Sequence, residues 1–195
     1  MTDTIFDLGP QARVVARLAE GVRDEQLTDR TPCPDFAVSN LLGHLVGLAV
    51  AFRDAGHKDL GVTTDTSPNA AVPDIGPGWR EELPKALDDL AAAWRDPAAW
   101  TGMTRAGGVD LPGELAGAVA ADELVIHGWD LARATGQEYE PDPVALWASY
   151  GFLRMAADDP NRGNGLFGPV VPVPEGAPLL DRAAGLSGRD PGWKP

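Results

Sequence analysis

The sequence predicts an all-α fold, a helical bundle with a C-terminal extension. Three observations lead there. Apolar residues recur at the spacing of one helix face in five separate stretches. Proline gathers at the edges of those stretches, Pro84 excepted. Only residues 101–113, TGMTRAGGVDLPG, suggest anything else, a turn or a short hairpin.

The first helix is expected over about Phe6 to Val22, with Val14, Val15, Leu18 and Val22 in phase, and Gly9-Pro10 marking its true start. TPCPDF (31–36) is a rigid entry, because two prolines fix the backbone and oppose helix. A second helix follows from Val38 to about Ala55, its apolar face built from Leu41, Leu45, Leu48 and Phe52 and containing His44. Residues 56–78 are rich in Gly, Pro, Asp and Thr and read as a long loop. A third helix spans Trp79 to about Arg95, carrying Leu83, Leu87, Leu90 and Trp94, with Pro84 tolerable only in its first turns and Pro97 ending it. The fourth starts near Pro112 and stops at Gly136. A fifth spans about Asp142 to Ala157, and the tail is expected to be an extended apolar strip followed by one short helix. We count four main helices plus this extension, in one domain over residues 1–195.

Composition narrows the function. The 195 residues carry 16 Lys and Arg against 29 Asp and Glu, a net charge of -13. Nucleic acid is an unsuitable partner, because neutralising phosphates needs a basic surface. An anionic membrane surface is unsuitable for the same reason, and no apolar run reaches the roughly 18 residues of a membrane span. Cys33 is the single cysteine, so no intrachain disulfide is expected, and the N-terminus shows no basic start followed by an apolar run. Both fit a cytoplasmic protein.

DELVIHGWDLARATG (122–136) raises the chemical question. Glu123 and His127 are four apart and Asp130 three further on, so all three share one stripe of the fourth helix among Val119, Ile126 and Leu131. Polar side chains facing a core need partners. If the second and fourth helices are neighbours, His44 meets Glu123 and His127 between them. Two imidazoles and a carboxylate suit Zn²⁺ with one position left open, and also suit Ni²⁺, Fe²⁺ or Mn²⁺. Asp130 would orient an imidazole from behind. The alternative is a buried polar network with no ion, and spacing alone leaves the two readings level. His57 reads as a solvated loop residue, Cys33 as a small structural residue, and Trp129 and Trp147 as packing groups. RAGG (105–108) lacks the context of a phosphate loop, and GRDPGW (188–193) reads as a terminal turn.

TPCPDFAVSNLLGHLVG together with ADELVIHGWDLARATGQ resembles the actinobacterial proteins related to the N-terminal metal-binding domain of mycothiol-dependent maleylpyruvate isomerase, within the wider DinB-like superfamily. The tail, FGPVVPVPEGAPLLDRAAGLSGRDP, resembles the same subgroup, so the likeness runs from about residue 6 to 193. It implies a DinB-like four-helix bundle whose core metal is held by His44, Glu123 and His127. It further implies a thiol transferase or isomerase, in which a divalent metal, zinc first and nickel as the alternative, activates mycothiol or a similar thiol against a small electrophile. A homodimer is compatible with such a bundle. The chain departs from the isomerase in lacking a large second domain, which sets maleylpyruvate itself aside as the expected substrate. Two other readings stand beside this one: a metal-dependent hydrolase, and a non-catalytic metal-binding or stress-response module.

Overall fold

A computed structural model describes residues 5–67, 72, 74–158, 162 and 167–195. Its helices are α1 (Gly9–Glu20), α2 (Val38–His57), α3 (Val62–Asp65), α4 (Trp79–Ala93), α5 (Gly113–Thr135), α6 (Pro143–Ala157) and α7 (Leu179–Leu186). Strands β1 (Met103–Ala106) and β2 (Val109–Pro112) lie between α4 and α5. They form an antiparallel hairpin closed by Gly107 and Gly108, both at positive φ. That is the backbone a two-residue hairpin turn demands, and it explains the paired glycines of RAGG.

The core is bundle-like. Helix α1 lies on α4, α4 on α2, α2 on α5, and α5 on α1. The predicted apolar faces supply it: Val15 and Leu18, Leu41 and Leu45, Leu83, Leu87 and Leu90 are all buried. Fully burying one such side chain is worth about 1.5–3 kcal/mol. Pro84 falls in the second turn of α4, where it costs the Arg80 carbonyl its intrahelical partner; the Arg80 guanidinium donates to the Val22 carbonyl and to Asp24.

Helix α5 is the central element. It is buried nearly all round, because α1 and α2 cover one side and α6 another. Helix α6 starts at an Asp-Pro pair: Asp142 accepts the Val144 and Ala145 N–H groups at 3.1 and 3.0 Å, and Pro143 takes the first helical position. Ser149 of α6 donates to the buried Asp122 of α5 at 2.7 Å.

Several expectations need adjustment. Helix α1 begins at Gly9, where the Gly9-Pro10 pair placed its true start, but ends at Glu20, short of Val22. Helix α2 continues past Ala55 to His57, which is exposed at the helix end and not in a loop, and Lys58 terminates it in the left-handed conformation. The 56–78 segment contains a short helix, α3, anchored by Thr64, whose hydroxyl takes the Gly61 N–H at 2.9 Å; residues 68–71 and 73 lie outside the described residues. The tail itself needs no adjustment: its helix packs onto the bundle, with Ala183 and Ala184 of α7 fully buried and α7 on α6. The start of the predicted apolar strip, at 165–166, also lies outside the described residues. No helix among the described residues is long and apolar enough to cross a membrane.

Candidate metal centre

His44 sits in the second turn of α2, with Leu41 and Leu45 anchoring that face in the core. Glu123 and His127 stand one turn apart on α5, and α2 packs against α5. The predicted meeting therefore occurs. Glu123 Oε2 lies 3.2 Å from His44 Nε2 and 3.1 Å from His127 Nε2. The three donor atoms are all within 4.8 Å of one another. The two imidazole rings are edge to face, centroids 4.7 Å apart.

These separations suit a small divalent ion. Tetrahedral zinc at bond lengths of about 2.0–2.1 Å spaces its ligand atoms about 3.3 Å apart. The side chains are partly open to solvent, 17% for His44, 28% for Glu123 and 11% for His127, so the cluster is reachable from outside. The neutral donors are borderline-soft nitrogens and the third is a carboxylate, a set that favours transition metals over magnesium.

Asp130, expected to orient an imidazole, lies against the His127 ring. Its carboxylate is fully buried and accepts from His127 Nδ1 at 3.0 Å. Burial alone would raise its pKa, but the Arg189 guanidinium and the His127 ring hold it below the usual range. An ionised carboxylate only accepts, so Nδ1 carries the hydrogen and Nε2 faces Glu123. A nitrogen lone pair 3.1 Å from a carboxylate oxygen needs something positive between them. A proton or a metal ion fills that role. Burial works against the proton, yet hydrogen bonds to Asp130 and Glu123 push His127 up to about 9. Glu123 moves the other way: burial opposes its charge, but the two imidazoles outweigh that and lower it.

The rigid entry flanks the site. Arg30 and Ala37 pair across the mouth of the loop, and the Thr31 hydroxyl accepts the Cys33 N–H and bonds the Phe36 carbonyl at 2.8 Å. Phe36 thereby leans on His44, ring centroids 5.6 Å apart. Phe36 also lines a hollow of about 440 Å³ bounded by Arg30, Asp35, Arg189 and Trp193. Cys33 is partly buried, and burial pushes its thiol up to about 11, as suits a structural residue. Trp129 is buried and carries Arg133 over its ring, whereas Trp147 is exposed on α6.

Sequence reasoning missed Arg189. GRDPGW was read as a turn, which it is: the Trp193 N–H bonds the Asp190 carbonyl at 2.9 Å. The only available signal was that a buried Asp130 beside a single histidine calls for a further cation.

Residues 8–132 match the family described as the mycothiol maleylpyruvate isomerase N-terminal domain. An uncharacterized protein of Mycobacterium tuberculosis, from strains CDC 1551 and H37Rv, is 27% identical over 180 residues, covering 89% of this chain and 91% of the relative. Crystal structures of the mycothiol-dependent maleylpyruvate isomerase and a mutant of it align with TM-score 0.48 at 20% identity. That alignment covers 73% of this chain and spans 65% of the isomerase's length.

Proposed function

Because the chain belongs to the mycothiol maleylpyruvate isomerase N-terminal domain family, we propose that it is a divalent-metal-dependent enzyme using a low-molecular-weight thiol, mycothiol or a similar one. The reaction type is thiol transfer or thiol-assisted isomerisation, in the cytoplasm, on a small electrophile such as an activated alkene, epoxide or alkyl halide. Helices α1, α2, α4 and α5 correspond in this reading to the four helices of a DinB-like bundle. His44, Glu123 and His127 hold the ion, zinc first and nickel as the alternative, and Asp130 orients His127.

A divalent ion bound there would lower the pKa of a thiol in the open position and supply a thiolate at neutral pH. The chain's own residues do the rest. His127 and His44 present nitrogen lone pairs, Glu123 supplies the negative charge, and Asp130 keeps the His127 ring from turning. A thiolate formed there would supply the nucleophile for transfer to, or isomerisation of, a small electrophile.

The observation that carries this reading is the convergence of three donor atoms within 4.8 Å, with the second nitrogen of His127 tied to a buried carboxylate. Metal content of protein purified without an affinity tag tests it. About one divalent ion per chain, lost in His127→Ala, is the expected result, followed by metal-dependent thiol consumption with an electrophile. Protein that neither carries nor takes up zinc would overturn the reading. Turnover of an ester or amide without thiol would replace it with hydrolysis.

A further inference from the structure

The family match ends at residue 132, yet the metal centre is braced by residue 189. Arg189 follows α7 in the turn Ser187-Gly188-Arg189, where Gly188 has φ +89 and sits against the backbone of Gly168. The turn is held by the Arg189 N–H on the Ala184 carbonyl at 2.9 Å and by Arg189 Nη1 on the Ser187 carbonyl at 3.2 Å. The guanidinium then reaches 59 residues back along the chain to α5. Nη2 donates to Asp130 Oδ2 at 3.0 Å and Nε to Oδ1 at 3.3 Å. Both oxygens of Asp130 are thus gripped, in the two-pronged geometry that only arginine offers. The side chain is 12% exposed and Asp130 not at all.

The consequence is geometric. A carboxylate held at one oxygen can still swing. Gripped at both, Asp130 keeps Oδ2 opposite His127 Nδ1, at 3.0 Å. The ring of His127 is then fixed with Nε2 toward Glu123.

We infer that Arg189 is a positioning residue of the metal centre: the C-terminal tail supplies the guanidinium that fixes Asp130, and Asp130 fixes His127. The inference rests on the metal reading above. It makes the tail part of the site, although residue 189 touches none of the three ligands directly in the hydrogen-bond network.

The test is zinc affinity of the full-length protein, measured by competition with a chromophoric chelator. Wild type is measured first; failure to bind zinc there is failure of the metal reading, seen before any variant is made. Outer partners of metal-bound histidines typically govern affinity by about 10–100-fold. Arg189→Met is expected to weaken zinc by about that factor. Arg189→Lys keeps the buried charge paired, so that folding is retained, but grips one oxygen, and an intermediate loss is expected. Arg133→Ala is the control for tail docking without the Asp130 grip, because Arg133 Nη2 donates to the Pro191 carbonyl and its guanidinium otherwise lies over Trp129, neither contact touching Asp130. It should lower the melting temperature without changing zinc affinity. The His127 Nδ1–H resonance of the zinc-loaded protein provides a second readout, sharp in wild type and Arg133→Ala, exchange-broadened in the Arg189 variants. Wild-type affinity in Arg189→Lys together with any folded Arg189→Met would overturn the inference. So would an equal loss in Arg133→Ala.

Discussion

At the scale of single residues, the chemistry depends on which atoms can accept. Asp130 is the clearest case. Asn at this position keeps one acceptor for His127 Nδ1 but can no longer accept both arms of Arg189, so the site loses charge and grip together. Asp130→Asn is expected to cost zinc affinity by about tenfold or more, read by chelator competition; unchanged affinity would mean that ring orientation is set elsewhere. Cys33 gives the pH prediction. Burial raises its thiol to about 11, although Arg189 pulls the other way. The folded chain therefore favours the thiol more than the unfolded chain does, whose cysteine titrates near about 8.5. The resulting stability is fully present below the unfolded value and is lost as pH rises toward 11. At pH 8 alkylation of Cys33 by iodoacetamide should be on the order of a hundredfold slower in the folded protein than in denaturant. Equal rates would show a reactive thiol and reopen its role.

At the scale of elements, α5 does most of the positioning, and its neighbours decide how firmly. A helix buried nearly all round must satisfy every polar group it carries. Gln11 of α1 donates to the Leu124 carbonyl at 3.0 Å, Tyr139 donates to the Val125 carbonyl at 2.7 Å, and Ser149 of α6 donates to Asp122. These bonds flank Glu123 and His127, so they hold the pitch of the ligand-bearing turn. Gly128 shows how closely the wrap fits: a Cβ there would stand 2.9 Å from the Tyr139 hydroxyl and 3.2 Å from its ring. Gly128→Ala must push Tyr139 off its carbonyl. The expected cost is about 1–3 kcal/mol, measured by urea unfolding, against any gain in helix propensity of up to about 1 kcal/mol. A stabilised variant would mean that the 137–141 connection yields freely. Ser149→Ala takes a donor away from the buried Asp122 carboxyl and should destabilise by about 1–3 kcal/mol in the same assay. Asp122 is already pushed up to about 7, chiefly by burial, and losing the Ser149 bond raises it further, so the variant should shift toward the neutral carboxyl and not unfold outright.

At the scale of the whole molecule, much of the arrangement was legible in the sequence, because a 3.6-residue period is a direct record of which face is buried. Leu41, Leu45, His44 and Phe52 share a face in the sequence and in the fold, and Glu123 with His127 meets His44 because α2 and α5 are neighbours. What stayed illegible depends on contacts that leave no period. Helix α3 is one turn held by Thr64, and Arg189 reaches Asp130 only because α7 is buried beside α6. The same connection predicts how the molecule melts. A ligand that binds only the folded state stabilises it by about 2.7 kcal/mol at a hundred times its dissociation constant. For a chain of this size about 1 kcal/mol moves the melting temperature by roughly 2–4 °C. Zinc at that concentration should therefore raise it by about 5–10 °C, whereas magnesium, which prefers oxygen ligands and keeps its waters, should not. Because the tail is fastened to α5 through Asp130, helical signal and the Trp193 environment should shift together in one transition. Two transitions, with only the later one moved by zinc, would mean that the tail detaches before the site melts and does not brace it. His127→Ala supplies the counterpart, since it removes a donor and should melt at one temperature with or without zinc.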